Sequence, residues 1–113
     1  MKIIRDGISL VELKELAKNG LGPLVKAVVD IEKKVMAIDG MMHADEEQML
    51  LNDGSEQKNL WGINIYPELP SNDRIEFDSM INIRPSYGNV SRSVESIDVQ
   101  NKIKNIVNAM ITE

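Results

Sequence analysis

The sequence predicts an α+β fold: a mostly antiparallel sheet with about three helices packed on one face. Three observations lead there. Residues 25–31, 35–39, 60–66 and 74–84 are β-branched, apolar or alternating runs of strand length. Residues 9–19 and 97–111 instead place their apolar side chains at helical spacing. The joins between these runs are short, which suits neighbouring antiparallel strands. The expected order is β-α-β-β-α-β-β-α, in a single domain spanning 1–113. Aromatic residues make up only 4% of the chain, so the core must be aliphatic and rich in methionine.

Each element has its own reason. Lys2 to Arg5 is a short edge strand closed by Asp6-Gly7. Ser9-Leu10-Val11-Glu12 reads as a capping box, with Leu10, Leu13, Leu16 and Ala17 on one helical face and Gly20 at the stop. Val25 to Ile31 and Val35 to Asp39 form a hairpin through Glu32-Lys33-Lys34. If their apolar residues face the core, Asp30 and Asp39 fall on the opposite side. His43 to Asn52 reads as a helix with acids in its first turn, where the helix dipole favours them. A strand over 48–51, turned at Asp53-Gly54, is the alternative. In 60–66, Trp61, Ile63 and Ile65 face one way, and Gly62, Asn64 and Tyr66 the other. The last helix carries Val99, Ile103, Ile106, Val107 and Met110 on one face, with Ser96 or Asp98 as its cap.

The stretch from Arg74 to Arg92 organises the functional reading. Ile75, Phe77, Ile81 and Ile83 recur at every second position, with Ser79 between them, and are expected in the core. Glu76, Asp78, Met80, Asn82 and Arg84 alternate with them, and Asn64 of the neighbouring strand would share their face. That face is either solvated surface or the wall of a cleft. Pro85 stops the ladder, and Ser86-Tyr87-Gly88-Asn89 makes a turn with Gly88 at positive φ. Arg84, Ser86, Gly88, Asn89 and Arg92, with Asn64 and Asn82, form a candidate site for a small carboxylate or phosphate. The same loop also reads simply as a capped entry to the last helix.

A second constellation is acidic. His43 and Glu47 share a helix face at i, i+4, and Asp30, Asp39, Glu76 and Asp78 are expected on neighbouring strands. Clustered carboxylates repel, so they need Arg84, a shared proton or a divalent cation, and an oxygen-rich set selects Mg²⁺ or Mn²⁺. The bland alternatives are a solvated acidic face and a histidine bonded to nearby backbone. Arg84 is expected to neutralise one of these carboxylates, with Arg92 reaching the same place from beyond the turn.

Composition narrows the classes. A formal net charge of −5 argues against non-specific nucleic-acid binding and against adhesion to anionic membranes. No cysteine is present, which excludes thiolate chemistry and cysteine zinc sites. The first residues lack the apolar core of a signal peptide, and no apolar run approaches the ~20 residues of a bilayer span. A cytoplasmic location is the expectation.

The segments 25–30, His43-Ala44-Asp45-Glu46-Glu47, the run from Asn59 to Glu68 and the run from Glu76 to Pro85, with Gly88-Asn89 and Ser91-Arg92, resemble a family of small single-domain prokaryotic proteins of unknown function. The resemblance implies no mechanism and transfers no catalytic residue. Two function classes follow from the residues. One is a binding or interaction module with an anionic-ligand site on its polar sheet face and Arg84–Arg92 loop. The other is a small divalent-metal-dependent hydrolase of a phosphorylated or other anionic substrate. A polar sheet face left free by helices on the other side would also serve as a homodimer surface.

Overall fold

A computed structural model describes residues 1–113. Its sheet has five antiparallel strands in the order β1-β4-β3-β5-β6. β1 is Lys2–Ile4, β3 Val25–Asp30, β4 Val35–Ile38, β5 Leu60–Ile65 and β6 Ile75–Glu76. A separate parallel pair joins β2 (Ile8–Ser9) to β7 (Ile111–Thr112). The helices are α1 (Leu10–Asn19), α2 (His43–Asn52) and α3 (Ile97–Met110). No helix is long and apolar enough to cross a membrane.

Local chemistry explains these boundaries. The Ser9 hydroxyl accepts the Glu12 N–H at the start of α1, and the Ser96 hydroxyl accepts the Val99 N–H at the start of α3. Residues 43–52 are a helix rather than a strand because His43, Glu46 and Leu50, at i, i+3 and i+7, bury together.

The α+β class and the antiparallel sheet stand, and the helices divide two to one. Leu13 and Ala17 of α1 and Ile103, Ile106 and Val107 of α3 pack on Ala27, Val29, Met36, Ile38, Trp61, Ile63 and Ile65. Leu50 of α2 packs on the other face, against Val28, Val35, Ala37 and Leu60. The expected free face is therefore half covered. The signal was in β3: Val28, one position out of step with Ala27 and Val29, is as buried as they are.

The expected long strand over 74–84 ends at Glu76. Met80–Asn82 and Pro85–Tyr87 are single turns of 3-10 helix. The alternation inverts only at its end: Ser79 of the apolar row is buried and Phe77 half-buried, but Ile83 is 38% exposed while Asn82 and Arg84 are buried. The cause is Gly62 in β5. A Cβ there would lie 2.5 Å from the Ser79 side chain, so the segment passes over the glycine too closely for a pleated partner strand. Side chains complete the ladder instead. Asn82 accepts the Gly62 N–H through Oδ1 at 2.8 Å and donates to the Gly62 carbonyl through Nδ2 at 3.0 Å. Arg84 continues along the same edge, donating to the Leu60 carbonyl at 2.6 Å and to that of Gln57.

Candidate functional site

The turn after Arg84 forms as expected, with Gly88 at φ 82°. Its polar groups, however, are used within the loop. Asn89 is buried and its Nδ2 donates to the carbonyls of Asn82, Ser91 and Ser93, while its Oδ1 accepts the Glu95 N–H. The N–H groups of Val90 and Ser91 and the Ser91 hydroxyl do converge on a carboxylate, that of Glu95, at 2.7–2.9 Å. Bonds from Ser91 and Val90 hold the Glu95 carboxyl below the usual carboxylate range. The anion cradle read from the sequence is thus filled by the chain itself, and Ser86 stands exposed outside it.

Arg84 does not neutralise a carboxylate. Its two terminal nitrogens donate to backbone carbonyls, its Nε is buried without a partner, and the group stacks 4.3 Å from the centroid of the Trp61 ring. Burial lowers its pKa, and Glu47 opposes that shift. Asp78 takes its cation from Arg92 instead, at 2.6 Å.

The six proposed metal ligands are dispersed, and no three His, Asp or Glu side chains gather in a way that could hold an ion. Asp30 is a turn cap: Oδ1 accepts the N–H groups of Glu32 and Lys33, and Oδ2 accepts the Ser55 hydroxyl at 2.6 Å. Asp39 follows β4 at φ 66°, 3.8 Å from the N-terminal ammonium. Glu47 is half-buried on α2, one oxygen without a partner. His43, Glu76 and Asp78 belong to a shared neighbourhood, and Asp39 borders it, lining a small cleft with Lys26, Gly40 and Met41.

That neighbourhood lies on the α2 side of the sheet, beside the start of the helix. Lys26 of β3 faces Asn64 of β5, and Asn64 faces Glu76 of β6, so one row crosses three strands. Asn64 is buried. Its Nδ2 donates to Glu76 Oε1 at 2.8 Å, which also accepts the Tyr66 hydroxyl at 3.0 Å, while its Oδ1 has no partner. Burial and the bond to Glu76 raise the Tyr66 phenol pKa. His43, the first residue of α2, donates from Nε2 to the Ile63 carbonyl of β5 at 2.7 Å. That bond fixes the tautomer and leaves Nδ1 with its lone pair. Burial lowers the His43 pKa; the Ile63 carbonyl and Asp78 oppose the shift, and Lys26 and Arg92 add to it.

Two members of this region were missed. Lys26 is the one half-buried position in an otherwise buried strand, and no carboxylate lies within ion-pair distance of it. A lone lysine inside the run Val25 to Asp30 was a readable signal. Glu46 is fully buried, with Oε2 accepting the Gly40 N–H at 2.9 Å and Oε1 unpartnered. Burial pushes its pKa up to about 9, so it carries a proton at neutral pH. Its spacing to His43 and Leu50 marked it as facing inward.

A family model described as "Protein of unknown function (DUF5674)" matches residues 2–110. No curated protein and no solved structure matches the chain.

Proposed function

The chain belongs to that family, which assigns no reaction, and from its own residues we propose a binding module that holds an anionic group on the polar sheet face beside the start of α2. The observation that carries this reading is Lys26. It is a half-buried cation without a carboxylate partner, at a strand position flanked by buried residues. A lysine with its stem packed in a strand and no acid paired to it can hold its charge toward an incoming anion. The neighbouring start of α2 supports the same ligand. Its N-cap, Met42, gives no side-chain hydrogen bond, so the His43 and Ala44 N–H groups stay open to an anion, while that of Asp45 bonds to the Met42 carbonyl. Arg92 adds a second charge at the far end of the row, shared with Asp78.

The Arg84–Arg92 loop drops out of the site, because Glu95 fills its donors. The metal-dependent hydrolase has no observation in its favour. Calorimetric titration with succinate and with inorganic phosphate tests the reading. At least one should bind the wild type, and Lys26→Met should remove binding while leaving the melting temperature in place. Equal binding by both proteins, or none by the wild type, contradicts it.

A further inference from the structure

Resting on this anion-binding reading, we infer that the group held there is presented by a protein: the face takes an acidic peptide segment with an apolar side chain near its carboxylate. Three observations select a peptide over a free anion.

The first is the acceptor chemistry beside Lys26. Asn64 Oδ1 is buried and unpartnered, and the His43 tautomer leaves a lone pair on Nδ1. A carboxylate ion satisfies the lysine and offers these acceptors nothing. A peptide brings backbone N–H donors along with its carboxylate, so one segment can answer both the lysine and the His43 nitrogen, with Asn64 Oδ1 lying beneath them.

The second is the rim. Met41, Met42 and Met80 are exposed by 67%, 60% and 64%. Met41 lines a small cleft together with Lys26 and Asp39 and borders the 540 Å³ cavity as well, Met42 immediately precedes His43, and Met80 sits in the turn that follows Asp78 and packs against α2. Unbranched thioether side chains adapt to varied apolar partners, and three of them around a polar centre would be poor design for a small hydrophilic anion.

The third is shape. The cavities of about 810, 540 and 490 Å³ are lined by none of Lys26, His43, Asn64, Glu76, Asp78 or Arg92. The row is an open surface, suited to a segment laid across it. Glu76 and Asp78 occupy the far end, so the incoming carboxylate belongs at the Lys26 end, next to Met41 and Met42.

The test is an array of immobilised hexapeptides, each with one Glu and with one Leu, Ile or Phe one to three residues away. Calorimetry with the tightest peptide in free form follows. That peptide should bind the wild type at least about tenfold more tightly than succinate does, and both Lys26→Met and a Glu→Gln change in the peptide should weaken it by about tenfold or more. Met41→Ala with Met80→Ala, which leave the Met42 cap of α2 untouched, should weaken the peptide severalfold and leave succinate binding unchanged. These methionines are exposed, so melting of the double variant should match the wild type. If succinate binds through Lys26 but no hexapeptide binds more tightly, the peptide inference is overturned and the anion site stands. A peptide indifferent to the methionine changes overturns it equally. If no peptide, succinate or inorganic phosphate binds, both readings fall.

Discussion

Along the first half of β5, the side chains of Asn82 and Arg84 give their hydrogen bonds to the backbone of Gln57, Leu60 and Gly62. Along the second half, Lys26, Asn64 and His43 keep a charge, an oxygen and a ring nitrogen unspent. Both regions carry an amide and a cation, the closed one from a single stretch of sequence and the open one from three separate elements. The difference is whether polar groups meet the main chain or each other. A polar group that replaces a missing strand partner is part of the fold, and its loss exposes a backbone orphan. A polar group left open beside an uncapped helix end is free to meet a ligand. Substitutions at the closed edge should therefore cost stability, and substitutions in the open row should cost binding.

The largest expected effect is at the closed edge. Asn82→Ala leaves the buried N–H and C=O of Gly62 without partners, and each orphan costs about 1–3 kcal/mol. Urea unfolding should show a loss of about 3–5 kcal/mol. A loss below about 1 kcal/mol would mean that water replaces the amide there and that the edge is not closed by side chains.

Glu46 lies under the open region and sharpens the comparison through pH. Its folded pKa of about 9 stands above the ordinary 4.5, so folding favours the protonated acid. The associated stability is fully present below pH 4.5 and is lost as pH rises toward 9. Glu46→Gln stays neutral throughout. It should stabilise the protein by on the order of 2–3 kcal/mol at pH 7, with the gap widening up to pH 9. Parallel denaturation curves of the two proteins at pH 5, 7 and 8.5 check this; a constant gap would show that Glu46 titrates normally.

His43 gives a smaller effect of opposite sign. Its folded pKa lies below 6.5, so protonation favours the unfolded chain, and stability present above pH 6.5 falls as pH drops below it. The slope should shrink in His43→Gln. At Glu95 the expected change is local: Glu95→Gln should speed amide exchange at Val90 and Ser91, with no change at Gly62. Smallest of all is the effect of Lys26→Met on stability, within about 0.5 kcal/mol, although the same change should abolish anion binding.

Much of the fold was legible because periodicity reports burial directly. The caps at Ser9 and Ser96, the hairpin through Glu32-Lys33-Lys34 and the positive φ of Gly88 all follow from local chemistry. The segment 77–84 misled because its apolar residues alternate like a strand while Gly62, distant in sequence, forces it into turns. Within the segment the one local signal is Ser79, whose hydroxyl caps the turn at Met80–Asn82 by accepting the Ile81 N–H. The site was half legible for the same reason. Asn64, Glu76 and Asp78 share a face that pairing arguments reach, whereas the union of Lys26 with the start of α2 depends on which face the helix covers. Residue type alone could not separate Arg84, bound to carbonyls, from Arg92, bound to Asp78.

The most direct test of this division is a map of backbone amide shifts during titration of the wild type with succinate. Movement is expected at Lys26, His43, Ala44 and Asn64, and stillness at Gly88 to Ser91, where Glu95 already occupies the donors. Movement centred on Gly88 to Ser91, with Lys26 and His43 unchanged, would overturn the division.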